Sequence, residues 1–155
     1  NLSPTSAEFM LLYHFNFGFP FLSEHLKLIP PSGTVTTPRT PRAAEGLAQA
    51  FSCCAPEDEF AEQVYFHDVP DEHGMASIAA ENDELGFGVE LSFSKDTLPV
   101  LVHWKSMQSG DYALGLEPSN TYIAGRATER ENGTLPVIWG FEKVRTRVAL
   151  KFYDL

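Results

Sequence analysis

A two-residue hydrophobic period constrains this chain more than any other feature. Along residues 144–153, Val144, Val148, Leu150 and Phe152 fall on one side, while Arg145, Arg147 and Lys151 fall on the other. Successive side chains of a strand point to opposite faces, so the pattern predicts a half-buried antiparallel strand. Phe87, Val89, Leu91 and Phe93 alternate in the same way with Gly88, Glu90 and Ser92. Residues 9–17, 60–67, 100–104 and 112–116 are rich in aromatic and branched side chains and read as further strands. Turn residues separate them at Pro30-Pro31-Ser32-Gly33, Pro70 to Gly74, Ser109-Gly110-Asp111 and Asn132-Gly133. One helix is predicted, over residues 42–52, where Pro41 precedes an Ala-rich run and Leu47 and Phe51 share a face; Gly46 weakens it. Residues 124–131 fit a loop as well as a helical turn, and 34–41 read as an extended connector. The predicted class is an all-β antiparallel β-sandwich with one short helix, forming a single domain over residues 1–155.

Charge narrows the partners. Eleven Lys and Arg stand against twenty-one Asp and Glu, a formal net charge of -10. Such a chain lacks the basic face that nucleic acid or an anionic membrane requires, so neither is expected as a partner. No apolar run approaches the ~18 residues of a membrane span. With 155 residues and 43% hydrophobic content, the chain has the size and composition of an ordinary globular domain. Cys53 and Cys54 are adjacent, and a disulfide between neighbours needs strained geometry. Reduced, structural thiols in a cytoplasmic protein are therefore expected. The chain begins at Asn1 without a basic-then-apolar leader, and its start is read as an internal boundary. Asn132-Gly133-Thr134 fits a glycosylation pattern but reads more simply as a turn.

Four sets of residues could carry chemistry or hold a ligand. His67, His73 and His103 lie among carboxylates, but no His-x-His or His-Glu-x-x-His spacing occurs. No metal is expected, and these read as surface histidines. His14 and Asn16 are two apart, so one strand face carries both. Polar groups on an apolar strand are costly unless paired or used, and a His bonded to backbone carbonyls in the core fits as well as a functional one. Glu117 ends a largely apolar run just before Pro118, where a carboxylate suits either a general base or a solvated strand end. Tyr13, Tyr112, Tyr122 and Trp104 offer flat faces suited to a sugar ring or to a core.

The motif Leu11-Leu-Tyr-His-Phe-Asn-Phe-Gly-Phe-Pro-Phe-Leu22 resembles the His-containing strand of the galactose mutarotase-like superfamily, in its aldose 1-epimerase-like branch. His103-Trp104-Lys105, Tyr112-Ala-Leu-Gly-Leu-Glu117-Pro118, Gly125-Arg126 and Gly140-Phe141-Glu142 follow in the order that branch shows. The resemblance implies a large β-supersandwich, of which this chain is the C-terminal half, completed by an N-terminal segment or a second chain. It implies interconversion of the anomers of a free aldose or a close derivative, with His14 as acid, Glu117 as base and no cofactor; the net negative charge, for its part, argues against a phosphorylated substrate. Asn16 would orient His14 or bind a hydroxyl, and His103 and Lys105 would contact other hydroxyls. The alternative is a non-catalytic carbohydrate-binding or sensing relative on the same fold.

Overall fold

The computed structural model describes residues 1–155. In chain order the elements are β1 (Ala7–Glu8), β2 (Phe15–Phe17), β3 (Leu26–Ile29), β4 (Val35–Pro38), α1 (Pro41–Glu45), a 3-10 turn (Leu47–Gln49), β5 (Gln63–Asp68), β6 (Asp71–Glu72), β7 (Met75–Asn82), β8 (Phe87–Ser94), β9 (Val100–Gln108), β10 (Asp111–Ser119), α2 (Arg126–Glu131), β11 (Val137–Ile138) and β12 (Val148–Asp154). All named strand pairs are antiparallel.

Two sheets form the sandwich, one ordered β2-β10-β9-β5-β4 and the other β12-β8-β7-β3, with β6 added beside β7. Between them lies a core built from alternate positions. Leu101 and Met107 of β9 and Leu114 and Leu116 of β10 meet Ala76, Ile78, Leu91 and Phe93 of β7 and β8, with Leu26 and Leu28 of β3. Every second residue of each strand points inward, which is the reason the alternation predicted a sandwich. The all-β class is borne out.

Several expectations need correction. There are two short helices, not one, because residues 126–131 form α2. The predicted helix at 42–52 divides at Gly46: α1 ends there, and a 3-10 turn follows. Thr40 caps α1 by accepting from the Ala43 N–H, with Pro41 in its first turn. Residues 34–41 are no mere connector, since Val35–Pro38 pairs with β5 as the sheet's outer strand. Strand β7 escapes a sequence reading because alanine, which occupies positions 76, 79 and 80, has weak strand preference.

β12 departs furthest from its prediction. Its residues face the way the alternation says: Val148, Leu150 and Phe152 stand opposite Phe93, Leu91 and Val89, on the core side of the sheet. Yet Phe152 is 67% exposed. β12 is the outermost strand, and the facing sheet leaves its apolar side uncovered.

Candidate active site

β10 runs against its two neighbours in a register that gathers the polar groups of three distant segments. Leu116 and Gly115 pair with Phe15 and Asn16 of β2, and the bridge between Leu12 and Ser119 continues the same register, which sets His14 opposite Glu117. On the other side, Glu117 and Gly115 stand opposite Val102 and Trp104 of β9. Trp104 in turn stands opposite Val64 of β5. Directly opposed residues project to the same face, so His14, Asn16, Glu117, Trp104 and Val64 all rise from the side of the sheet away from the core.

His14 Nε2 lies 3.0 Å from Glu117 Oε1. The imidazole is about half exposed, whereas the carboxyl is almost wholly buried. The ring nitrogen approaches off the line of a hydrogen bond, and Oε1 has no hydrogen-bond partner. Burial pushes the Glu117 carboxyl above its usual range, opposed by the nearby His14. A buried, unpartnered carboxyl oxygen with a raised affinity for protons is what a general base needs.

Around the pair is a hollow of about 220 Å³, walled by Trp104, Glu62 and Arg39 over Val64 and Val102. Glu62 holds the indole in place by accepting from Trp104 Nε1 at 2.7 Å. The His14 ring meets the Trp104 ring edge-on at 6.3 Å between centroids. Arg39 and Glu62 went unremarked in the sequence. The signal for Glu62 was its parity with Val64; nothing marked Arg39, which follows the end of β4.

Asn16 shares the face of His14 one cross-strand pair along, as its spacing implied, and is exposed. His103 and Lys105 do not join this group. Both occupy odd positions of β9, opposite in parity to Val102 and Trp104, and so point into the sandwich. Lys105 Nζ donates to the carbonyls of Gln49 and Ser52, tying the 3-10 turn to the sheet. His103 is fully buried, its Nδ1 3.2 Å from His67 Nε2, and its own Nε2 has no partner. His67, read as a surface residue, is buried too, with its Nδ1 2.9 Å from Thr36 Oγ1. Burial drives the His67 ring down to about 4 and His103 well below its usual value. Cys53 and Cys54 are free, half buried, and held above the ordinary thiol range by desolvation.

The antiparallel sandwich, with its His–Glu pair on one sheet face, has a counterpart among solved structures. It superposes on the crystal structure of a candidate aldose 1-epimerase from Klebsiella pneumoniae subsp. pneumoniae with a TM-score of 0.85 at 24% identity, covering 99% of this chain and 40% of that one. The chain belongs to the family described as a domain of unknown function, DUF4432, whose model matches residues 1–152. No curated protein matches the sequence. No helix is long and apolar enough to cross a membrane.

Proposed function

We propose that this chain carries the acid–base pair of an aldose 1-epimerase-like isomerase. The observation that supports it is the 3.0 Å approach of His14 to a buried, unpartnered Glu117 oxygen beside an aromatic wall. Glu117 removes the proton from the C1 hydroxyl, the O–H electrons form the C1 carbonyl, and the C1–O5 bond breaks. O5 takes its proton from His14 Nε2. The open-chain aldehyde turns about C1–C2, and closure reverses both transfers. Each transfer needs a heavy-atom distance of ~2.6–3.2 Å, so the sugar enters by replacing the direct contact between the two groups. His14, half exposed, is the member able to swing aside. Trp104 offers its ring to the C–H face of the sugar, Arg39 and Glu62 line the hollow where hydroxyls would be read, and Asn16 stands next to His14 on the same sheet face.

The same reading makes the 155 residues the C-terminal part of a larger sandwich. In support, the chain spans only 40% of its structural neighbour, and the apolar side of β12 is exposed. The substrate is a free aldose, and its identity rests on side chains beyond this pair.

Proton NMR or polarimetry of freshly dissolved α-aldoses tests the proposal. The chain should accelerate anomer equilibration, with a rising limb on the acid side that lies above the ordinary carboxylate range, because the base must be ionised. Glu117→Gln should lower the rate ~10²–10⁴-fold while sugar affinity stays within a few-fold. Saturable sugar binding without any acceleration would instead identify a carbohydrate-binding relative, and an undiminished rate in Glu117→Gln would remove Glu117 from the chemistry.

A further inference from the structure

Gly115 lies at the centre of the site, between Asn16 on one side and Trp104 on the other. It is a strand residue with no positive φ, so its backbone conformation is open to any amino acid. Glycine in the middle of a strand weakens it and often marks a place where another group must come close. Here that group is identifiable. A Cβ at position 115 would collide with Glu117 Oε1 and stand 3.3 Å from both Glu117 Cδ and Trp104 Cβ.

We infer that Gly115 is a positioning residue whose missing side chain lets the Glu117 carboxyl fold back along its own strand and face His14. Residues 115 and 117 are two apart on the same face, so the glutamate side chain lies across the space that any larger residue at 115 would fill. The Oε1 atom that would collide is the same atom that lies 3.0 Å from His14. With a methyl group there, the carboxyl must rise off the sheet, away from the imidazole and toward water. On the other side the Cβ of Trp104, fixed by the backbone of β9, leaves the new methyl group no room to move. The assignment rests on the acid–base reading only for its effect on rate; the effect on the carboxyl itself does not depend on that reading.

Gly115→Ala tests the inference through two readouts. The first is the titration of Glu117, followed by NMR of a carbon-13-labelled side-chain carboxyl, with Glu117→Gln to assign the signal. Desolvation raises this group in the native protein, so lifting it into water should move its titration toward the ordinary carboxylate value. The second is mutarotation, where kcat should fall about 10²-fold with KM little changed, as expected when a reacting group is misplaced by about 1 Å. An unchanged titration overturns the inference whatever the rate does. A shifted titration in a chain that does not accelerate mutarotation leaves Gly115 as the positioning residue and defeats the isomerase reading instead. Should the alanine variant fold poorly, a cycle of denaturant unfolding in the Glu117→Ala background decides. There the obstruction is absent, so Gly115→Ala should cost less stability than in the native background, and an equal cost in both overturns the assignment.

Discussion

Three residues of the sheet that contains β5, β9 and β10 carry titratable groups that burial shifts from their ordinary values. Glu117 is buried beside an imidazole, and His67 and His103 are buried beside one another. The two histidines must stay neutral in the fold, whereas an unfolded imidazole protonates near ~6.5. Between that value and the pKa of about 4 for His67, the unfolded chain binds more protons than the folded one. Stability therefore falls as pH is lowered through this window and is fully present above it. Denaturant unfolding at pH 7 and pH 4 should differ by about 3 kcal/mol through His67 alone. In His67→Gln the slope across the same window should flatten. A slope that survives the substitution intact would assign the pH dependence to other groups.

β9 and β10 show how a strand distributes its residues between two tasks. The even positions of β9 carry Val102 and Trp104 to the site, and the odd positions carry His103 and Lys105 to the interior. The resemblance carried His103 and Lys105 to the site, but parity sends them to the face opposite Val102 and Trp104, since neighbours on one strand point to opposite sides. Lys105→Met separates the two tasks experimentally. It strips the Nζ donor from the carbonyls of Gln49 and Ser52 at the end of the 3-10 turn, residues that face water, so the loss is that of ordinary hydrogen bonds, about 1 kcal/mol. Thermal unfolding should register that loss, and mutarotation per folded molecule should stay unchanged. A lost rate with preserved stability would return Lys105 to the site. The pairing of His14 with Glu117 has the opposite character: each was visible in its own segment, and the ladder between β2 and β10 joins them.

At the scale of the molecule, the sandwich is unevenly closed. β2 and β12 are the outer strands of their sheets, and the Tyr13 hydroxyl bonded to Thr146 Oγ1 shows that they lie on the same side. Phe152 and Leu150 are exposed there on what should be an inner surface. Unpaired strand edges beside apolar area promote association. Sedimentation of the chain should therefore show concentration-dependent self-association, and Phe152→Lys should reduce it with little effect on stability; a monomer at every concentration would mean that this edge needs no cover. The resemblance picked out the segments of His14 and Glu117; the strand periods, the β class and the sharing of one face by His14 and Asn16 are legible in the residues themselves. Those follow from local stereochemistry, because alternation and turn residues act within a few positions. Packing between the sheets settles which face of each strand is covered, that His103, His67 and Lys105 lie inside while Phe152 does not, and that the Glu117 carboxyl fits over a bare glycine. Burial belongs to whatever sheet is packed opposite, and no single strand carries that information in its own alternation.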